Sequence, residues 1–254
     1  MNELENSVAL ITGASKGIGA ATAREFARQG AKVVLAARSE DSLKTLAEEI
    51  NSSGGQAIAI ACDVADFDNV SKAVELAVKT YGRIDILINN AGLIDPIATI
   101  ANSDPQEWAK AADVNYKGVY FGLRAAIPKM LEQGKGTIVN VSSGAATGAL
   151  EGWSHYCSSK AAALSLTKCA HVEYADKGIT VVGMSPGTVA TGMQISIKAS
   201  GINPVSQLDP SVHIPAEWPA KAISFLCTER GKDYAGTDFS LKTEEGRRVV
   251  GLID

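Results

Sequence analysis

The sequence predicts an α/β fold, a parallel sheet with helices on both faces, in a single domain. Strand-like apolar runs alternate with helix-like stretches along the whole chain. The first apolar run opens directly into a glycine-rich turn, Gly13-Ala14-Ser15-Lys16-Gly17-Ile18-Gly19. No linker, repeat or low-complexity segment divides the 254 residues, whose length alone allows one or two domains.

Ser7 to Thr12 is short and apolar, fit for a buried strand, and a helical pattern follows the glycines through Gln29. Lys32 to Ala37 reads as the second strand. Ser39 is placed as an N-cap, with Glu40 and Asp41 in a first turn where the helix dipole favours acids. That helix runs from Ser42 to Ser53 and ends at Gly54-Gly55. Gln56 to Cys62 is the third strand, Asn69 to Tyr81 a helix stopped by Gly82, and Ile84 to Ile88 the fourth strand. A long helix is expected from Pro105 to Gln133, then a strand from Gly136 to Val141 and a helix from Ser154 to Ala175. Ile179 to Ser185 is the sixth strand. Thr188 to Pro215 is a long segment before a helix from Glu217, and Tyr234 to Leu241 closes the sheet.

Glycines at a strand-to-helix turn let the backbone approach a pyrophosphate, whose charge suits the helix N-terminus. The spacing here is GxxxGxG rather than GxGxxG, and a plain tight turn is the alternative reading. Where NAD-selective folds place an acid on the ribose 2′-hydroxyl, this chain has Ala37 and Arg38, with Lys16 in the turn. Two cations and no carboxylate suit a 2′-phosphate, so NADP(H) is the expected cofactor. In open α/β sheets ligands bind beyond the carboxyl ends of strands. The glycine turn, Asp63, Asn90, Ser143 and Pro186 all follow strand ends and can converge on one crevice.

Tyr156 and Lys160 stand one helical turn apart, and Ser143 lies thirteen residues before the tyrosine. A neighbouring cation favours the phenolate, which suits an acid or base working on a carbonyl or alcohol oxygen. Taken alone, the spacing equally describes a surface pair.

Thr12 to Gly19, Asn89-Asn90-Ala91-Gly92, Asn115, Ser143, Tyr156, Lys160 and Pro186-Gly187 occur in order and at set separations. In this ordered set the chain resembles the short-chain dehydrogenase/reductase family, from about residue 5 to 240. The resemblance implies a Rossmann-type, doubly wound parallel sheet, a nicotinamide cofactor and an Asn115-Ser143-Tyr156-Lys160 tetrad. It implies reversible hydride transfer between nicotinamide and a carbonyl or secondary alcohol. Tyr156 would be the acid or base, and Lys160 would hold the nicotinamide ribose. Ser143 would hold the substrate oxygen; Ser142 should alternate to the other strand face. Asn115 would support a water linking Lys160 to bulk; the alternative is an amide facing solvent.

Gly13, Ser15, Lys16, Ile18, Gly19, Arg38, Asp63, Val64, Asn90, Ala91, Gly92, Tyr156, Lys160, Pro186, Gly187, Val189 and Thr191 are the expected cofactor-binding residues. Asp63 and Val64 would flank the adenine. Asn90 to Gly92 would lie along the cofactor, although an Asn there can instead only stabilise the sheet. Met193-Gln194 after Thr191 is similar to the sepiapterin-reductase-like branch, over too little chain to assign a pterin substrate. The family's Asp-Gly-Gly near the C-terminus is replaced by Gly236-Thr237-Asp238-Phe239-Ser240.

Composition bounds the rest. A net charge of −4 argues against nucleic-acid backbones as partners. No run approaches a membrane span, and the N-terminus has no basic region leading into an apolar one. Cys62, Cys157, Cys169 and Cys227 are scattered, as are His155, His171 and His213, so no metal site is expected and a cytoplasmic setting is. Segment 188–215 reads as a substrate-binding loop, with Met193, Ile195, Ile197 and Ile202 closing an apolar pocket opposite Leu150 and Trp153. An ordinary helix and loop on the core is the alternative. A hydrophobic or aromatic ketone, aldehyde or secondary alcohol is the expected substrate. Helices 105–133 and 155–176 carry more small and apolar residues than one sheet face can cover, so a homotetramer or homodimer is expected. Two rival readings remain. Gly13-Ala14-Ser15-Lys16-Gly17 also fits the GxSxG rule of a serine hydrolase, and the fold can serve as a non-catalytic NADP(H) sensor.

Overall fold

The computed structural model describes residues 3–254. Seven parallel strands form one sheet in the order β3-β2-β1-β4-β5-β6-β7. They span Val8–Thr12 (β1), Lys32–Ala37 (β2), Gln56–Ala61 (β3), Ile86–Asn89 (β4), Gly136–Val141 (β5), Ile179–Ser185 (β6) and Asp238–Ser240 (β7). β1 pairs with β2 on one side and β4 on the other, so strand order reverses there and opens a crevice beyond their carboxyl ends. β1 and β2 are buried almost end to end, as strands covered by helices on both faces must be.

Nine α-helices supply the cover: Gly17–Arg28 (α1), Glu40–Ser52 (α2), Phe67–Tyr81 (α3), Pro105–Ala112 (α4), Gly118–Gln133 (α5), Ser154–Tyr174 (α6), Gly192–Ser200 (α7), Glu217–Leu226 (α8) and Glu244–Val249 (α9), counted among the described residues. Phe26 of α1, Leu43 of α2 and Ile223 of α8 pack with Ile11, Val33 and Met184 on one sheet face. Val74 of α3, Leu123 of α5 and Ala163 of α6 pack with Leu10, Leu87 and Val181 on the other. A smaller apolar group of Ile94, Ala145, Trp153, Tyr156 and Ile197 lies apart from both.

Several expected boundaries move for identifiable reasons. The third helix starts at Phe67, because the Asp66 side chain accepts from the Asp68 and Asn69 amides and caps it. The fourth strand starts at Ile86, two residues late. Asp85 is bound to Arg83 and takes the Val8 amide at 3.0 Å, while Ile84 bonds the Gln133 side chain. The long helix from Pro105 is interrupted by a π-helical turn, Asp113–Lys117. The last strand is only Asp238–Ser240, since Glu229–Tyr234 winds into a 3₁₀ helix and Gly236 turns at φ 75°. Segment 188–215 is built rather than open. It holds α7 and two 3₁₀ turns, and a parallel bridge from Val189 to Ile214 closes its base.

Candidate active site

A cavity of about 570 Å³ runs along the carboxyl ends of the strands. Of the expected site residues, all but Gly19 and Asn115 line it.

At one end the glycine turn leaves β1 with Gly13 at φ 64° and Gly17 at φ 56°, angles that an L side chain rarely adopts. Lys16 is the N-cap of α1, and no side chain caps that helix. The first amides of α1 therefore remain free donors beside the cavity, which suits a phosphate. Gly19 acts by closeness rather than contact with a ligand. A Cβ there would strike the Gly13 carbonyl and the Asn90 amide. Asn90 donates from Nδ2 to the carbonyls of Thr12 (2.9 Å) and Gly13 (3.2 Å), while its own backbone amide donates to Thr12 Oγ1 at 3.0 Å. Its side chain is thus spent on tying β4 to the turn. The adjacent Asn89 donates to Asn140, which donates to Thr167, a buried polar chain through β4, β5 and α6. Thr12 and Asn89 belong to the ordered motifs, whereas Asn140 and Thr167 carry none. Asparagine in an otherwise apolar central strand was the signal available. Thr191 stands at the N-cap position of α7 without a side-chain capping bond, and its methyl is 3.2 Å from where a Gly17 Cβ would sit.

At the other end α6 brings Tyr156 and Lys160 into the cavity wall, both buried in contrast to a surface pair. The Lys160 ammonium donates to the Val141 carbonyl at 2.6 Å and lies 5.7 Å from the centre of the Tyr156 ring. Burial pulls Lys160 down to about 8, opposed by Asp238. Burial pushes the Tyr156 phenol up, and the Ser143 hydroxyl opposes it. The phenol thus shifts opposite to the depression expected from its cation, with burial the largest cause. Ser143 follows β5 and caps a 3₁₀ turn, accepting from the Ala145 amide at 3.2 Å. Ser142 points elsewhere, donating to Asp238 at 3.2 Å, and Ser185 donates to the same carboxylate oxygen at 2.8 Å. The residues standing in place of the C-terminal Asp-Gly-Gly thus put a half-buried carboxylate behind the lysine, which sequence reasoning missed.

Asn115 is fully buried in the π-turn rather than facing solvent. Its amide oxygen accepts from Leu93 N and its amide nitrogen donates to Leu93 O, both at 2.8 Å. The side chain pins the loop after β4 and stays out of the cavity wall.

The apolar side of the cavity corrects the expected lid. Met193 and Ile197 of α7 line it opposite Leu150 and Trp153, together with the unforeseen Ile94 and Val205. Ile195 points outward, 74% exposed. Ile202 lies against Gly152 instead. The i,i+4 pair 193/197 shares the inner helix face and residue 195 does not.

A family model described as "short chain dehydrogenase" matches residues 7–201. The chain is 32% identical over 257 aligned residues to the 2,5-dichloro-2,5-cyclohexadiene-1,4-diol dehydrogenase LinX of Sphingobium indicum, covering 99% of each chain. It is 31% identical to a cyclohexanol dehydrogenase of an Acinetobacter species over 94% of each. The crystal structure of an NAD⁺-bound xylitol dehydrogenase superposes with a TM-score of 0.87 at 25% identity, covering 94% of this chain and 98% of the other.

Proposed function

The chain belongs to the short-chain dehydrogenase family, and from that premise we propose that it is an NADP(H)-dependent oxidoreductase interconverting a carbonyl and a secondary alcohol. The family and the xylitol dehydrogenase likeness support a nicotinamide cofactor and action on a CH–OH group. The observation carrying the finer reading is one continuous cavity, with uncapped α1 amides at one end and Ser143, Tyr156 and Lys160 at the other.

The residues fit a dinucleotide. Gly13 and Gly17 keep the turn free of side chains, Asp63 and Val64 wall the adenine end, and Pro186, Gly187 and Val189 wall the nicotinamide end. Lys16 and Arg38 are the exposed cations beside the expected 2′-position, which is why we choose NADP(H) over NAD(H). When bound, the reduced nicotinamide supplies a hydride to the substrate carbon. The Ser143 hydroxyl donates to the substrate oxygen and holds it beside Tyr156. The phenol donates its proton to that oxygen as charge develops. The phenolate left behind is stabilised by the Lys160 ammonium, whose remaining donors face the nicotinamide ribose. In the oxidation direction the phenolate takes the alcohol proton. The apolar wall of Ile94, Leu150, Trp153, Met193 and Ile197 excludes water and suits a hydrophobic or aromatic substrate body.

The test is NADPH oxidation over a carbonyl panel and NADP⁺ reduction over an alcohol panel. Turnover is expected, falling by roughly 10²- to 10⁴-fold in Tyr156→Phe while NADPH still binds. Tight NADPH binding with no turnover would favour the sensor. A serine hydrolase is disfavoured because no histidine lines the cavity beside Ser15 among the described residues.

One NAD(P)-binding domain over residues 1–254 accounts for the chain, with 188–215 as its substrate loop. Four free cysteines suit the reducing cytoplasm. Tyr116, Tyr120 and Leu131, exposed along the π-turn and α5, suit burial in a homotetramer or homodimer. Light scattering showing a monomer would exclude both. A small-molecule substrate is the only other partner required.

A further inference from the structure

The cavity is lined by four cations, Lys16, Arg38, Lys160 and Lys242. Three have assignments above: Lys16 and Arg38 at the adenine end, and Lys160 bound to the Val141 carbonyl. Lys242 does not. It follows β7, two residues beyond Ser240, and its side chain crosses the mouth of the catalytic end. Its Cγ passes 3.5 Å from where a Cβ on Gly187 would sit, and its Nζ ends 3.3 Å from the same position on Gly144. Gly144 immediately follows Ser143, so the ammonium stands one residue from the hydroxyl assigned to the substrate oxygen. Among the described residues Nζ makes no hydrogen bond and no ion pair, unlike Lys232 and Lys177, which hold a carboxylate and a carbonyl.

The charge around this ammonium is one-sided. Among the described residues the only carboxylate lining the cavity is Asp63, after β3 at the end assigned to the adenine. Asp238, the acid nearest in sequence before it, is turned towards Ser142 and Ser185 and away from the cavity wall. Glu244 and Glu245 open α9 two and three residues beyond the lysine, but Glu244 pairs with Arg248 and neither lines the cavity. A cation next to the reacting position, with no acid beside it on the cavity wall and an apolar wall opposite, is complementary to an amphiphilic anion.

We propose that Lys242 is a specificity-determining residue that binds a carboxylate on the substrate, so that the preferred substrates are carbonyl or hydroxy compounds with an apolar body and an acid group. This rests on the oxidoreductase reading for the identity of the reacting group. The salt link itself is a binding event and can be measured without turnover.

The probes are para- and meta-acetylbenzoate and their methyl esters, titrated calorimetrically into the NADPH-saturated protein. The native protein should bind at least one acid about tenfold or more tightly than its ester, the scale of a charge-assisted hydrogen bond in a partly wet site. In Lys242→Met the acid-to-ester ratio should collapse towards one, and Lys242→Arg should restore most of it. Added salt should erode the ratio in the native protein and leave it flat in Lys242→Met. Equal affinity for acid and ester in the native protein overturns the proposal. So does a Lys242→Met variant that keeps the ratio, or one that loses only NADPH affinity, which would make the lysine a cofactor contact. A protein that binds the acids through Lys242 yet reduces no carbonyl would sink the oxidoreductase reading and leave this one standing.

Discussion

Lys160 gives a hydrogen bond to the Val141 carbonyl at 2.6 Å, so its ammonium is anchored to the end of β5, 5.7 Å from the centre of the Tyr156 ring. Anchoring and burial oppose each other. The lysine is 4% exposed and is pulled to about 8, against an ordinary value of 10.5. Because the folded value lies below the unfolded one, the charged lysine destabilises the fold below about pH 8, and that penalty fades as pH climbs from 8 to 10.5. Lys160→Met should therefore stabilise the protein at neutral pH, by about 1–3 kcal/mol after the lost hydrogen bond is discounted. The gain should shrink towards pH 10.5, and turnover should be lost. Denaturant midpoints across that range check it; a variant less stable than the native protein at pH 7 would contradict it.

Asp238 holds Lys160 up against burial, while Ser142 and Ser185 hold Asp238 down against its own. Asp238→Asn should keep the two hydroxyl contacts in outline but remove the charge. Lys160 should then lose its proton at a lower pH. In the proposed mechanism carbonyl reduction needs the cation beside the departing phenolic proton, so it should fall off with rising pH earlier than in the native protein. The pH profile of kcat/KM for reduction is the measurement. A purely structural Asp238 would lower stability and leave the profile where it was.

Residues that touch the cavity were legible where chemistry demands a particular side chain at a particular strand end. Gly13, Asp63, Ser143 and Pro186 each sit beyond a strand whose hydrophobic pattern announces it, so order along the chain translates into position along one crevice. Asn115 and Asn90 were less legible, because an amide's worth depends on which backbone groups lie opposite. Leu93, Thr12 and Gly13 come from other elements. Desolvation was not legible at all. The i,i+4 spacing of Tyr156 and Lys160 shows that they meet, whereas the sign of the phenol's shift depends on how completely α6 is covered. Segment 188–215 reads as a substrate-binding loop, with an ordinary helix as the alternative, because α7 is only nine residues long. The Val189–Ile214 bridge that closes it pairs residues 25 apart, beyond the reach of local pattern.

Arg38 ends β2 at the surface, with no carboxylate in the position that would favour a ribose hydroxyl. Arg38→Asp should weaken NADPH by about 10- to 100-fold, the loss of a charge-assisted contact plus added repulsion, and improve NADH. The ratio of kcat/KM values for the two cofactors reads this directly. A native protein that prefers NADH, or a variant with an unchanged ratio, would refute the NADP(H) assignment.

Asn90 joins the two halves of the sheet at the point where strand order reverses, by donating to the Thr12 and Gly13 carbonyls. Asn90→Ala removes both donors and leaves two partly buried carbonyls short of a partner, a cost of about 1–3 kcal/mol. Because the lost donors hold the Gly13 carbonyl, whose residue sits at φ 64°, the turn should loosen and NADPH should bind more weakly. Asn115→Ala frees the Leu93 backbone instead, on the far side of Gly92, and should destabilise by a similar amount with a smaller effect on NADPH. Comparing denaturation with NADPH titration in the two variants separates the roles. Equal losses of cofactor affinity would mean that Asn90 acts only through overall stability and not through the glycine turn.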